Sequence, residues 1–279
     1  MKLEWVTAQF PEIRNLASLN VGGQKWVFSG DHDGDGSIVL KIVKPSMGVD
    51  IVSREMIAVA KVAGSNRVPR IHAQESLDTD FGLLYWFREQ RVHGQTLQDM
   101  IANRVLSTEQ YLRLAQHILE ALVVAEAEHI VHRDIKPGNI LCDQVGDFWL
   151  IDFGFARHLQ LTSLTSSADQ FGKCTPGYAP PEQFNNQKRD IDTRADLFAL
   201  GVTLYESIVG YNYYREGARD LLEVLRAVEK RPLPRLKVTI PGGDDFADLV
   251  ASMTQRRRDH RPRSAAESLD WLQEIIAKQ

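Results

Sequence analysis

Neither sign of charge dominates this chain: 33 basic and 37 acidic side chains among 279 residues leave a net charge of −4. No global basic field therefore calls for nucleic acid or an anionic membrane surface. Long hydrophobic runs are missing too. No apolar stretch approaches the ~20 residues that span a bilayer, and the opening MKLEWVTAQF has no cationic segment leading into an apolar one. Cysteine is scarce: Cys142 and Cys174 have neither a disulfide-framework nor a zinc-ligand spacing, which fits a reducing compartment. His117 and His129 have no partners at metal-ligand spacing and are read as structural. Internal repeats and low-complexity tracts are absent as well, and no appended domain is expected within this sequence. These absences lead to the expectation of a cytosolic protein with no nucleic-acid and no membrane partner. The basic run Arg256-Arg257-Arg258 lacks interleaved aromatics and reads as a solvated face.

What is present is a chain that is 43% hydrophobic, long enough to bury a sizeable core as one large domain or two lobes. Its richest stretch runs from His132 to Gly154. Asp134 and Asn139 lie in a short polar loop, the apolar run Ile140-Leu141-Cys142 follows, and Asp152 ends a second apolar run, Phe148 to Ile151. Loop, strand, turn, strand, carboxylate is a hairpin pattern that brings Asp134, Asn139 and Asp152 to one end. Oxygen ligands there can hold hard cations while a third group meets a substrate hydroxyl, which suits phosphoryl transfer.

In their order and spacing, His132-Arg133-Asp134, Lys136, Asn139 and Asp152-Phe153-Gly154 resemble the catalytic and metal-binding loops of eukaryotic-type (Hanks-type) Ser/Thr protein kinases, in a bacterial-like form. The likeness covers about residues 15 to 275. It implies an α+β, bilobal fold: a nucleotide-binding lobe over 1–91 with a small, mostly antiparallel sheet and one helix, and a larger helical lobe over 92–279.

In the first lobe, Asn20-Val21-Gly22-Gly23-Gln24-Lys25-Trp26-Val27 stands where the family has its glycine-rich loop. Gly22 fits the second glycine, but Asn20 and Lys25 replace the first and third. Lys25 reads as a solvated charge, with an extra phosphate contact as the alternative. Asp31-His32-Asp33-Gly34-Asp35-Gly36 imitates a calcium loop, but its twelfth position would be Ile42 where a bidentate Glu is required, so a turn between strands is expected. Ile38-Val39-Leu40-Lys41 matches the third-strand motif, making Lys41 the expected phosphate contact and Lys44 its competitor. Ile51 to Ala63 has helical spacing and carries Glu55, similar to the glutamate that pairs with that lysine. Val68 to Gln74 and Phe81 to Val92 read as strands. The likeness puts the backbone of Gln90 to Val92 against adenine, with Gly22, Gly23, Val27 and Val39 also around the nucleotide. It puts Glu89 at the back of the pocket, where either the register turns it away or it finds a polar partner.

In the second lobe, Ser107 to Glu128 reads as a long helix with a capped start from Ser107 and Glu109-Gln110. Thr162, Ser163, Thr165, Ser166 and Ser167 lie on an adjustable loop, where Arg133 would receive a phosphate. Thr175-Pro176-Gly177-Tyr178-Ala179-Pro180-Pro181-Glu182 resembles the substrate platform, with Pro180 in place of the usual alanine. Asp196 resembles the helix aspartate that holds the catalytic-loop backbone, and Arg261 the partner of Glu182.

The resemblance implies in-line transfer from ATP. Lys41, held by Glu55, would position the α- and β-phosphates, Asn139 and Asp152 would ligate Mg²⁺ or Mn²⁺, Asp134 would take the hydroxyl proton, and Lys136 would contact the γ-phosphate. His132 is expected as scaffold. Lys136 and Thr175 favour Ser/Thr over tyrosine in protein substrates, and a dimer is one expected route to autophosphorylation in trans. Two other classes stay open: a pseudokinase scaffold, suggested by the altered glycine loop, and a small-molecule kinase, opposed by the platform.

Overall fold

The computed structural model describes residues 1–19, 25–44, 60–62, 65–80, 82–153, 157–158, 174–187, 190–239 and 242–278. Asn20 to Gln24, Glu55 and Thr162 to Ser167, to which the sequence assigns a phosphate loop, a lysine partner and phosphorylation sites, lie outside them. Of the helix expected over 51–63, residues 60–62 are described, and they are helical. The chain divides into two units, Met1–Gly64 with Pro69–His93, and Ser65–Val68 with Gly94–Gln279.

Among the described residues the first unit holds a short helix α1 (Leu3–Gln9), the helical residues 60–62 and five strands, β1 (Ile13–Ser18), β2 (Lys25–His32), β3 (Gly36–Val43), β4 (Ile71–Thr79) and β5 (Gly82–Gln90). They form one antiparallel sheet in the order β1-β2-β3-β5-β4. Alternation along each strand gives the sheet two different faces. Phe28, Ile38, Leu40, Ile42, Leu84 and Trp86 share one face, and Val6 of α1 and Phe10 just after it close over it. The opposite face carries Lys25, Val27, Val39, Lys41, Phe87 and Glu89, by the registers Val27 to Lys41, Lys41 to Phe87 and Val39 to Glu89.

β4 begins three residues later than the apolar pattern suggested and runs on through Glu75 and Asp78. It is the edge strand, where polar side chains can meet water, so hydrophobicity marks its ends poorly. The acidic turn joins β2 to β3, with Gly36 in the left-handed region at φ +73°. Its carboxylates lie against other side chains: Asp31 accepts from Asn15, Asp33 pairs with Arg14, and Asp35 lies 2.7 Å from Arg88 and 2.9 Å from His32. That is a turn's chemistry rather than a calcium loop's.

The second unit begins with β6 (Gly94–Thr96), α2 (Leu97–Ala102), α3 (Thr108–Ala127), β7 (Ile130–Val131), β8 (Ile140–Asp143), β9 (Phe148–Leu150) and β10 (Arg157–His158). Helices α4 (Pro181–Phe184), α5 (Thr193–Val209), α6 (Leu221–Lys230), α7 (Gly243–Met253) and α8 (Ala265–Ala277) follow. Ser107 starts α3 as a capped residue, its N–H donating to Gln110 Oε1 at 2.8 Å. The buried stripe Leu112, Ala115, Ile118, Leu119 and Leu122 packs α3 against α5 and α8. α5 is buried on every side from Ala195 to Tyr205, so it forms the axis of the helical core.

β8 and β9 make the hairpin that the apolar runs predict, and β6 pairs with β8. At Gly94 a Cβ would lie 1.9 Å from the Cys142 carbonyl oxygen, so only glycine allows that pairing. Residues 65–68 join the second unit through Arg67. Its carbonyl accepts from Leu150 N–H, and its guanidinium reaches Glu120 and Asp147, each at 2.8 Å. Among the described residues no helix is long and apolar enough to cross a membrane.

Candidate active site

The polar loop from His132 to Asn139 is built on α5. Asp196, in the first turn of that helix and 1% exposed, accepts the backbone N–H of His132 at 2.7 Å and of Arg133 at 2.8 Å. Burial pushes its carboxyl up to about 7, against the pull of those two hydrogen bonds. Between them the chain reverses: Arg133 has φ +69°, an uncommon conformation for a non-glycine residue, and Gln183 Nε2 donates to its carbonyl at 2.7 Å. His132 is fully buried and acts as scaffold. Its Nδ1 accepts from the Asp134 N–H at 3.2 Å, which leaves Nε2 to donate to the Ile151 carbonyl at 3.2 Å. Burial holds its pKa below the usual histidine value. The imidazole also meets the Phe153 ring edge-on at 4.5 Å.

These supports fix Asp134, 4% exposed, with both carboxylate oxygens engaged. Oδ2 accepts from Lys136 Nζ at 2.7 Å and Asn139 Nδ2 at 2.9 Å; Oδ1 accepts the hydroxyl of Thr175 at 2.5 Å. Lys136 Nζ also reaches Thr175 Oγ1, at 3.0 Å. One oxygen is thus held by cation and amide while the other faces a hydroxyl. Asn139 donates again to the Asp134 carbonyl, so its amide nitrogen is committed and its oxygen is directed elsewhere. The hairpin then sets Asp152 beside Asn139, because Ile151 N–H donates to the Asn139 carbonyl at 2.9 Å. Asp152 itself sits at φ +62°.

The platform is anchored at both ends. Tyr178 donates its hydroxyl to half-buried Glu206 at 2.7 Å, and Asn212 Nδ2 donates to the same carboxylate at 3.2 Å. Burial raises the pKa of both Tyr178 and Glu206. Gly177 has φ +89°, a conformation strained for any side chain, and a Cβ there would also crowd Arg215 and Asn212 at 3.0 Å. At the far end Glu182 and Arg261, both buried, form a two-pronged ion pair at 2.6 and 3.1 Å. Cys174, just before the platform, has its thiol pushed up to about 11 by burial, which disfavours the thiolate at neutral pH.

In the first unit Lys41 is 7% exposed and its ammonium contacts Glu89 Oε1 at 2.6 Å. Glu89 does not turn away: it finds a polar partner, and that partner is Lys41, the lysine the sequence suggests for the phosphates. The competitor Lys44 lies on the other face, over Trp26 at 5.5 Å. Lys25 corrects the sequence reading. It is 5% exposed, with its ammonium 5.3 Å from the Phe87 ring centre, and is no solvated charge. A lysine opening a strand normally points to water, and only the register with Val43 reveals which face this one occupies. Val27 and Val39 share that face, half-buried. Gln90 and Arg91 N–H donate to the Arg70 and Ser37 carbonyls, inside the unit.

Sequence reasoning missed Glu206 with Asn212, the Arg67 triad and Gln183. None belongs to a local motif, and the only sequence signal was a carboxylate within the otherwise apolar run of α5.

The family model for the protein kinase domain matches residues 21–271. Among curated relatives, the probable serine/threonine-protein kinase pknA2 of Bifidobacterium longum is 26% identical over 99% of this chain and 36% of its own length. The probable serine/threonine-protein kinase PknB of Lactococcus lactis is 28% identical over 71% of this chain and 31% of its own. The serine/threonine-protein kinase PknJ of Mycobacterium tuberculosis is 30% identical over 83% of this chain and 40% of its own. The chain thus spans between about a third and two fifths of the length of these relatives.

Proposed function

The chain belongs to the protein kinase family, and from that premise we propose that it transfers the γ-phosphoryl group of ATP to serine or threonine hydroxyls of protein substrates. The observation that carries the reading is Asp134. Its Oδ1 already accepts a hydroxyl, that of Thr175, while Lys136 and Asn139 hold Oδ2. A substrate hydroxyl taking that place would be oriented for attack and would lose its proton to the same oxygen as the bond forms.

Lys136, which bridges Asp134 and Thr175, is assigned to the γ-phosphate. Lys41 is assigned to the α- and β-phosphates, with Glu89 and Glu55 as its carboxylates. Val92 N–H is assigned to adenine, since the neighbouring N–H groups of Gln90 and Arg91 serve the sheet. Asn139 and Asp152 fit a hard divalent cation such as Mg²⁺. The Asn139 nitrogen is committed to Asp134, so the pair offers oxygen ligands, as Mg²⁺ requires when phosphates and water complete its shell. When bound, the ion would neutralise charge on the phosphates.

The Glu182–Arg261 pair and the Tyr178–Glu206 bond support a peptide-binding platform, which favours protein over small-molecule acceptors. Thr162 to Ser167 are proposed as autophosphorylation sites, with Arg133 receiving the phosphate.

Incubation with labelled ATP, Mg²⁺ and a generic protein acceptor tests the proposal. Asp134→Asn should lower transfer by about a hundredfold or more while the fold is kept. A purified wild-type chain that labels no protein, itself included, overturns it in favour of a scaffold.

A further inference from the structure

Building on the kinase reading, we propose that a cavity between α6 and the loop before it recognises an acidic segment of the protein acceptor, through Arg226, Lys230 and the buried Tyr214. The cavity measures 310 Å³. Ligand sites run from roughly 300 to 1,000 Å³, so this one suits a side chain or two rather than a nucleotide.

Arg226, Lys230 and Arg231 bring cations to its wall, and Glu216 and Glu223 bring carboxylates. Glu223 is already engaged by Arg219, which donates its backbone N–H at 2.9 Å and its guanidinium at 2.5 and 3.0 Å. Glu216 alone is then left to balance the cations. Arg231 is held by its guanidinium, 4.5 Å from the Tyr213 ring centre. Arg226 and Lys230 stand one turn apart on α6, and neither has an ion-pair partner among the described residues. Like charges at that spacing repel each other mildly, and an anion between them relieves the repulsion.

An unpaired cation on a surface is ordinary, but a buried hydroxyl without a partner is not. Tyr214 lines the same cavity, is fully buried, and its hydroxyl has no hydrogen-bond partner among the described residues. Burial, with Tyr213 adding to it, raises the pKa of that hydroxyl, while Arg256, Arg261 and Arg231 pull it down. The hydroxyl therefore stands within the field of Arg231, a cation of the cavity wall. It is a donor in need of an acceptor beside cations in need of an anion, and a carboxylate is both. The loop that carries Tyr214 is fastened to the platform. Arg215 Nε donates to the Pro176 carbonyl at 2.8 Å, and beyond the platform Asn185 Nδ2 donates to Glu229 of α6 at 3.1 Å. Cavity and platform are joined parts of one surface, so a protein acceptor lying on the platform is the partner within reach.

Three peptides sharing one acceptor serine test this on the full chain, with flanks rich in glutamate, in glutamine or in lysine. The wild type should bind the glutamate peptide at a KM about tenfold or more below that of the glutamine peptide. Its kcat should be the same for both, because contacts away from the reacting atoms add binding and not rate. Arg226→Glu with Lys230→Glu, at two exposed positions, should turn the preference toward the lysine peptide and leave the glutamine peptide within about twofold. Tyr214→Phe should fold at least as stably, since it removes an unpartnered hydroxyl, and still lose most of the preference for glutamate. Equal KM values in the wild type, or a preference that survives the double reversal, would overturn the acidic site and spare the kinase reading. Preference lost in the reversal but intact in Tyr214→Phe would overturn the cavity and move recognition to the open flank of α6. Self-association abolished by the reversal, with peptide kinetics unchanged, would overturn the acceptor and give the surface to a second copy. Phosphorylation of no peptide and no protein would remove the kinase reading, and this proposal with it.

Discussion

A single buried carboxylate, Asp196, shows how much of the active loop depends on one side chain. It accepts two backbone N–H groups at the point where Arg133 takes a left-handed conformation, and the next residue is Asp134. Asp196→Asn keeps the shape but replaces one acceptor oxygen by a donor, leaving a buried N–H facing another N–H. The expected cost is about 1–3 kcal/mol of stability, read as a lower urea midpoint. Because Asp134 hangs from that turn, phosphoryl transfer should fall further than stability alone explains. A variant that matched wild type in both midpoint and turnover would show that the turn holds itself. Burial also gives Asp196 a pH signature. Its pKa is raised in the folded state, so its contribution is full below the ordinary carboxylate range and is lost as pH rises through about 7.

Elements were legible where local chemistry and burial agree. α3 announces itself by its apolar period and its Ser107–Gln110 start, and α5 by an apolar run too long for a strand. β4 was placed less well because an edge strand tolerates charge. What joins elements was harder to read, since it is made by side chains far apart in sequence. His117 on α3 accepts the Phe148 N–H at 3.0 Å and so ties the long helix to β9 under the catalytic hairpin. Burial, with Arg67 near by, holds its pKa below the ordinary 6.5. An unfolded chain therefore binds a proton near pH 6.5 that the folded one refuses, and the stability His117 contributes is lost as pH falls from there toward its folded value. Thermal unfolding between pH 7.5 and 5 should show this slope reduced in His117→Gln, by up to about 1.4 kcal/mol per pH unit. Gln can still accept from Phe148, and Asp196 runs in the opposite direction in both proteins, so the difference isolates His117. Identical slopes would place the proton elsewhere.

Across the whole molecule, the catalytic constellation could be read because its residues follow one another in one stretch, whereas Lys41–Glu89 could not. That pair depends on the register of β3 with β5, which no local pattern states. Glu182–Arg261 is intermediate: each residue stands in a recognisable motif, but the extent of the junction appears only in three dimensions. Besides its two bonds to Glu182, Arg261 donates to the carbonyls of Arg194, Gln255 and Arg256, and its guanidinium lies 4.9 Å from the Phe198 ring centre. One side chain thus joins the platform, the start of α5 and the loop after α7. Arg261→Ala leaves the Glu182 carboxylate buried without its cation and three carbonyls without donors, a loss of about 3–5 kcal/mol from the pair alone. Arg261→Lys should fail nearly as badly, since one ammonium cannot replace a planar fork that serves four acceptors. The platform should then loosen, and phosphorylation of a protein acceptor should collapse in both variants. ATP affinity, which depends on the sheet face bearing Lys41, should stay within a few-fold of wild type. Slow hydrolysis of ATP by water needs no peptide platform and should persist as well. If Arg261→Ala phosphorylates protein at the wild-type rate, the Glu182 junction is not what holds the acceptor site. If instead it loses ATP binding and protein transfer together, the platform and the nucleotide site are not separable in the way proposed.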